Sequence, residues 1–196
     1  MLDRLRLRLN ESFLALGRLF GRTGLSPTAW TFVGLLASFA AGVSYWSSGY
    51  AGELLGGLLI LLAGFLDVVD GAVARATSAT SKRGTFLDST LDRVAEVAVY
   101  SGILLGGLAS PVAVLLALSF SLLVSYTRAK ADSLGISLSG VGIGERSERL
   151  LILAVFSIAG LASYGVLLVL LVSAITFLQR VSKVSAALAS PAARTS

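Results

Sequence analysis

The chain has 196 residues, of which 55% are hydrophobic and only 14% are charged, and its formal net charge is +5. A soluble domain carries about a quarter charged residues, so this composition indicates an integral membrane protein with no room for a second large domain. Neither cysteine nor histidine occurs, which excludes disulfides, zinc–thiolate sites and catalysis by Ser–His or Cys–His pairs.

The first 22 residues have the pattern of an amphipathic helix. Apolar residues recur at helical spacing, and arginines occupy the other faces; the apolar positions are Leu5, Leu9, Phe13, Leu16 and Phe20. This pattern is typical of a helix that lies on an anionic membrane surface. Charges recur through the segment and no small-residue cleavage site follows, which is not typical of a signal peptide. We predict a juxtamembrane interfacial helix within residues 1–24.

Long uncharged stretches follow this segment. Glu53 is the only charge between Thr23 and Leu66, and none occurs in Val97–Thr127 or Leu150–Leu178. A membrane span takes about 20 residues, and turn signals divide these stretches into shorter ones. We therefore predict an all-α membrane domain over residues 25–186, followed by a polar tail over 187–196. Its six transmembrane helices are expected at 28–48, 53–76, 84–107, 111–133, 147–162 and 165–186.

The distribution of charge predicts the orientation. With six spans, both termini and every second connection face one side, and all 16 Lys and Arg residues lie at or near that side. The opposite side carries only Glu53. The positive-inside rule therefore predicts a multi-pass protein of the cell membrane with both termini in the cytoplasm. The Thr77–Arg83 turn lies on the same side, and the acidic residues that flank it should lie near the cytoplasmic face.

Four aspartates flank this turn. Asp67 and Asp70 are three residues apart, and Asp88 and Asp92 are four apart, so each pair shares one face of its helix. The short turn should make the two helices packed antiparallel neighbours with converging acidic faces. Clustered carboxylates repel one another and take up protons unless a cation compensates them. Because all available ligands are oxygen atoms, the sequence predicts one or two hard cations such as Mg²⁺ or Mn²⁺.

Each of these residues also has a structural interpretation. The aspartates could cap helix ends or pair with nearby arginines, and Gly71 and Gly84 could serve helix packing instead of leaving space for a ligand. Intramembrane carboxylates are nevertheless functional by default, which favours a site. A cation transporter would also use such carboxylates, but it would spread them along a path through the bilayer. Here they cluster near one face.

A second set of charges lies at the same membrane level on three later helices. The fourth predicted helix ends with Arg128 and Lys130, the fifth opens with Arg146 and Arg149, and Arg180 lies near the end of the sixth. A neutral ligand needs no such set, whereas a dianionic phosphate is well bound by clustered Arg and Lys. The alternative is ordinary flanking charge with local ion pairs. No aromatic-interleaved basic patch occurs, and nucleic acid is not an expected partner.

The acidic pattern as a whole resembles a family signature. It reads Asp67-x2-Asp70-Gly71-x2-Ala74-Arg75-x8-Gly84-x3-Asp88-x3-Asp92 and fills every fixed position of the DxxDGxxAR…GxxxDxxxD motif of CDP-alcohol phosphotransferases. The resemblance implies a homodimeric membrane enzyme that moves a phosphatidyl-type group from a CDP-linked lipid to an alcohol and releases CMP. A scaffold with a degenerate site is disfavoured, because no motif position is lost.

The resemblance also implies roles for single residues. Asp67, Asp70 and Asp88 would bind two metal ions. Asp92 would also contribute to metal binding and would act as general base. The implied CDP-lipid contacts are Gly71, Ala74, Arg75, Ser81, Gly84, Thr28 and Thr31.

One branch of the family makes inositol-phosphate phospholipids in archaea and bacteria, and its acceptor-binding cations match Lys130, Arg149 and Arg180. The chain resembles this branch. The resemblance implies transfer from CDP-archaeol or CDP-diacylglycerol, within the membrane lipid, to myo-inositol 1-phosphate. Glycerol 3-phosphate is the alternative acceptor, because it is also a phosphorylated alcohol.

Overall fold

The computed structural model describes residues 13–189, and this part of the chain contains helices and connections but no strand. The helices are α1 (residues 13–21), α2 (Pro27–Trp46), α3 (Gly49–Ala76), α4 (Lys82–Leu105), α5 (Pro111–Ser133), α6 (Arg146–Ile158) and α7 (Ala162–Ala189). The all-α class is therefore confirmed. Residues 1–12 of the predicted interfacial segment 1–24, and residues 190–196 of the predicted polar tail, lie outside the described residues.

Local signals account for the helix ends. Ser26 caps α2, because its hydroxyl accepts a hydrogen bond from the Ala29 N–H at 3.2 Å and Pro27 occupies the first helical position. α3 begins four residues earlier than expected. Ser48 and Gly49 adopt left-handed backbone with φ of 55° and 76°, which reverses the chain within a very short connection.

The six helices α2 to α7 form a ring. α2 packs on α3 and α4, α3 on α6, α6 on α7, α7 on α5, and α5 on α4. In this order α4 and α6 lie on opposite sides of the ring. Small residues allow the closest approach, because a Cβ at Gly102 of α4 would overlap the Gly42 backbone of α2. The buried core between the helices includes Tyr45, Ile60 and Leu153.

The structure differs from the expectation that α3 and α4 are packed neighbours. Both helices pack mainly on α2 and hardly on one another. α2 presents glycines to both, with Gly34 near Leu66 of α3 and Gly42 against Ala98 of α4. The aspartate side chains of α3 and α4 still converge, although the backbones of the two helices lie apart. The gap left between the two helices provides the space for a site.

The short helix α1 is held against this end of the bundle. Phe20 packs edge-to-face on Trp30 of α2 and Phe65 of α3, with ring centroids 5.3 and 5.9 Å away. Gly17 lies directly against the Ala72 carbonyl of α3. α1 therefore covers the part of the bundle near the α3–α4 turn.

Four of the helices in the described range, α2, α3, α5 and α7, are long and apolar enough to cross a membrane. α6 has 13 residues and measures about 20 Å at about 1.5 Å per residue, less than the hydrocarbon thickness of about 30 Å. Charged residues recur through the first four turns of α4. Candidate spans are thus confirmed for four of the six predicted helices.

Candidate active site

Three of the four aspartates converge beside the α3–α4 turn. Asp67, Asp70 and Asp88 each offer a carboxylate oxygen, and these oxygens lie within 4.8 Å of one another. Asp70 is buried, and the other two are half-buried. Oδ1 of Asp88 is buried without a hydrogen-bond partner. Three clustered carboxylates, one with an unsatisfied buried oxygen, fit a divalent cation that prefers oxygen ligands.

A hydroxyl from α2 orients one member of this cluster. Thr31 Oγ1 donates a hydrogen bond of 2.8 Å to Oδ2 of Asp70. The bond ties the Asp70 carboxylate of α3 to α2. Such outer contacts fix the orientation of a metal-ligating carboxylate, whereas the family resemblance assigned Thr31 only to the CDP-lipid.

We expect Thr31→Val to weaken metal binding, because Asp70 loses the bond that orients it. The Mn²⁺ concentration for half-maximal binding should rise about tenfold, the lower end of such effects, as measured by Mn²⁺ paramagnetic resonance. Thr90→Val is the matched control, since Thr90 donates only to the Phe86 carbonyl on the exposed side of α4. Equal Mn²⁺ binding by both variants would contradict this role.

The fourth aspartate lies apart from the cluster in contact with an arginine. Arg146 Nη2 lies 2.8 Å from Asp92 Oδ1, and Arg146 Nη1 lies 3.1 Å from Asp67 Oδ1. Arg146 stands in the first turn of α6, so α6 reaches the carboxylates from across the ring. Arg146 thus joins Asp92 to the edge of the three-carboxylate cluster, and metal ligation by Asp92 stays a prediction.

A first cavity, of about 220 Å³, borders Asp70 and Asp88. All seven residues that the family resemblance assigns to the CDP-lipid line it: Thr28, Thr31, Gly71, Ala74, Arg75, Ser81 and Gly84. Ser81 caps α4 and accepts a hydrogen bond from the Gly84 N–H at 3.0 Å. The amino end of α4 therefore borders the cavity and favours negative charge there. Arg75 is exposed and lies 5.7 Å from the ring centre of Phe13 in α1.

A second cavity, of about 530 Å³, lies on the other side of the carboxylates, between α3 and α6. Its polar end contains Asp67, Asp92 and Glu145 together with three arginines, Arg93, Arg128 and Arg146. Its remaining wall is apolar and includes Ile60, Phe65 and Leu150. The carboxylates thus separate two cavities, and Arg146 borders the second one while it contacts Asp67 and Asp92.

The three cations that the family resemblance assigns to an acceptor phosphate lie outside both cavities. Lys130 is exposed at the end of α5, and Arg149 and Arg180 are each only 2% exposed. Arg180 donates to the Val124 and Val141 carbonyls at 2.8 and 3.0 Å. None of the three lines either cavity. Arg149 and Arg180 form a layer behind the second cavity, where Arg180 lies 3.7 Å from Glu145.

Sequence reasoning included Arg128 and Arg146 among the basic residues but did not separate them from their neighbours. Arg93 entered only as one of the cations that could pair with the aspartates, and Glu96 was not singled out. A signal for Glu96 was present, because Asp88, Asp92 and Glu96 recur every four residues on one face of α4.

Comparisons with known proteins identify the family of the chain. The CDP-alcohol phosphatidyltransferase family model matches residues 25–189. The archaetidylinositol phosphate synthase of Pyrococcus horikoshii is 36% identical over 181 residues, which cover 92% of this chain and 95% of that protein. The phosphatidylinositol phosphate synthase of Streptomyces avermitilis is 38% identical over 152 residues, which cover 74% and 62%.

Solved structures of one relative share the fold. The crystal structure of Mycobacterium tuberculosis phosphatidylinositol phosphate synthase with CDP-DAG bound superposes with a TM-score of 0.76 at 29% identity, over 92% of this chain and 96% of the other. The same enzyme in complex with manganese and citrate also gives 0.76 at 29% identity, over 92% and 91%.

Proposed function

The chain belongs to the CDP-alcohol phosphatidyltransferase family, and we propose that it transfers the phosphatidyl-type group of a CDP-linked lipid to myo-inositol 1-phosphate. The products are an inositol-phosphate phospholipid and CMP. One observation carries this proposal: the carboxylates border two cavities, one lined by the predicted CDP contacts and the other by three arginines. The names of the relatives support the same acceptor.

The enzyme is a metal-dependent phospholipid synthase, and Asp67, Asp70 and Asp88 are the residues that would hold the metal. We propose Mg²⁺ or Mn²⁺, with two ions bound. The manganese complex of the mycobacterial enzyme supports a divalent metal, and the unsatisfied Asp88 oxygen supports this position for it. A metal bound there supplies charge neutralisation for the diphosphate and for departing CMP.

The first cavity is the proposed donor site. Arg75 offers the planar set of N–H donors that suits phosphate, and the amino end of α4 at Ser81 adds backbone donors. Gly71, Ala74 and Gly84 carry little or no side chain, which leaves the cavity wall open to the nucleotide. The donor is CDP-archaeol or CDP-diacylglycerol.

The second cavity is the proposed acceptor site. Arg93, Arg128 and Arg146 bind the phosphate of the incoming alcohol, and Arg149 and Arg180 support this site from behind. Lys130 stays the acceptor-phosphate contact that the family resemblance implies. The acceptor hydroxyl transfers its proton to Asp92 as its oxygen attacks the lipid-bearing phosphorus. The bond from that phosphorus to CMP breaks, and CMP leaves through the first cavity.

We also propose the arrangement in the membrane. All six helices α2 to α7 cross the cell membrane, with the carboxylates and both termini on the cytoplasmic side, where the basic residues concentrate. Large apolar side chains exposed on the outer surface of the bundle, such as Leu36, Val43, Leu115 and Leu171, support contact with lipid. Residues 1–24 lie on the membrane surface, 25–186 form the catalytic domain, and 187–196 form a polar tail. The active unit is a homodimer, as the family implies.

An acceptor panel tests this function. The purified chain in lipid nanodiscs receives Mg²⁺, CDP-archaeol or CDP-diacylglycerol, and one of four alcohols: myo-inositol 1-phosphate, inositol, glycerol 3-phosphate or serine. We expect CMP release with myo-inositol 1-phosphate to exceed that with inositol at least 100-fold in kcat/KM, because charged hydrogen bonds contribute about 1.5–3 kcal/mol each. Preference for glycerol 3-phosphate would identify the alternative enzyme. No CMP release with any alcohol would refute the transferase.

A further inference from the structure

A buried ion pair crosses the centre of the helical ring. Glu96 of α4 is 1% exposed and Arg149 of α6 is 2% exposed, and Arg149 Nη2 donates to Glu96 Oε1 at 2.9 Å. α4 packs mainly on α2, whereas α6 packs on α3 and α7. Backbone packing therefore does little to set α4 against α6, and long charged side chains make the connection.

This pair repeats the contact at the active site. Glu96 follows Asp92 by one turn of α4, and Arg149 follows Arg146 by one turn of α6, so each residue shares a helix face with its counterpart. The Arg146–Asp92 distance is 2.8 Å and the Arg149–Glu96 distance is 2.9 Å. The two pairs form a ladder with an outer rung at the second cavity and an inner rung in the core.

The inner rung also contacts the chain that leads into α6 and a cation of the second cavity. Arg149 Nη1 donates to the Gly144 carbonyl at 2.9 Å, two residues before Arg146. Glu96 Oε2 is buried without a hydrogen-bond partner and lies 3.7 Å from Nη1 of Arg93. Glu96 thus lies within ion-pair distance of two arginines, one of which lines the cavity directly.

We propose that Glu96 is a positioning residue of the acceptor site: through Arg149 and Arg93 it sets the arginines of the second cavity against Asp92. The inference rests on the proposed function, which assigns that cavity to the acceptor. A buried ion pair contributes little net stability compared with apolar residues of similar size. Glu96 and Arg149 lie one helical turn from Asp92 and Arg146, so the buried pair can fix the position of α4 relative to α6 beside the active site.

The test removes both charges of the inner rung together. Glu96→Leu combined with Arg149→Met leaves no unpaired buried charge, so the fold can persist. In nanodiscs with Mg²⁺, we expect kcat/KM for myo-inositol 1-phosphate to fall about 100-fold, as for displacements of about 1 Å at a reacting centre. The KM for the CDP-lipid should stay at the wild-type value.

A matched control removes another buried contact of α6. Tyr45 donates to Ser157 at 2.8 Å, far along α6 from the carboxylates, and Tyr45→Phe combined with Ser157→Ala deletes this bond. We expect both KM values to stay at their wild-type levels even where the melting temperature falls. Wild-type acceptor kinetics in the folded Glu96→Leu/Arg149→Met variant would overturn the proposal, as would an equal loss in donor and acceptor KM.

Two further measurements keep the test decisive. If the double variant does not fold, Glu96→Asp retains the charge and withdraws the carboxylate by one methylene. A drop of about tenfold in kcat/KM for myo-inositol 1-phosphate with an unchanged KM for the CDP-lipid supports the proposal. If the two constants change together, or neither changes, the proposal is refuted. Calorimetric binding of myo-inositol 1-phosphate to the Mg²⁺-loaded variants needs no turnover. It separates a failure of this proposal, in which wild type and variant bind equally, from a failure of the proposed function, in which wild type does not bind.

Discussion

Asp92→Asn should lower kcat about 1,000-fold, within the range of a general base, while the KM values for donor and acceptor change little. The amide has nearly the same shape as the carboxylate and still accepts a hydrogen bond from Arg146, which lies 2.8 Å from Asp92 Oδ1 in the native protein. The contact therefore persists, but the proton acceptor is lost. CMP release under saturating CDP-lipid and myo-inositol 1-phosphate measures the effect.

Asp132→Asn is the control for this variant, because Asp132 is an exposed carboxylate at the end of α5 and lines neither cavity. It should retain wild-type kcat. A full rate for Asp92→Asn would show that another group accepts the proton. A loss confined to metal affinity would instead assign Asp92 to the metal alone.

Arg146→Gln should lower kcat/KM for myo-inositol 1-phosphate about 1,000-fold, the lower end of what an arginine contributes at a phosphoryl-transfer site. The change removes a cation from the second cavity and also leaves Asp67 and Asp92 without the guanidinium that joins them. The KM for the CDP-lipid should stay unchanged, because Arg146 does not line the first cavity. Initial rates with each substrate varied in turn separate the two constants.

Lys183→Gln removes an exposed cation from α7 and should leave both constants unchanged. The prediction would be contradicted if an acceptor residue implied by the family resemblance mattered in place of Arg146. If Lys130→Ala raises the acceptor KM and Arg146→Gln does not, the phosphate binds on the α5 side and the second cavity is not the acceptor site.

The outcome for the acidic residues shows what spacing alone can predict. Asp67 and Asp70 share a face of α3 because three residues make nearly one helical turn, and the same holds for Asp88 and Asp92 on α4. A connection of five residues, 77–81, then brings these faces to one end of the bundle. The spacing of the aspartates did not predict that α3 and α4 both pack on α2. Gly34 and Gly42 of α2 allow this close packing only once the three helices are in contact.

The basic residues show the opposite case. Arg146 and Arg149 are three residues apart on α6, and nothing in their local pattern distinguishes them. The structure puts Arg146 at the second cavity and buries Arg149 against Glu96. The difference arises because α6 packs on α3 and α7, and no single helix carries that information.

The family resemblance supplied the residues that line the first cavity, and the sequence by itself determined the all-α class, the positions of the six helices and the clustering of Asp67, Asp70 and Asp88. These features depend on periodicity within a helix or on a short turn between two helices. Only the tertiary structure decided which arginines face the second cavity and that Glu96 pairs with Arg149. Glu96 and Arg149 are 53 residues apart on helices from opposite sides of the ring, so their contact exists only after the ring has closed.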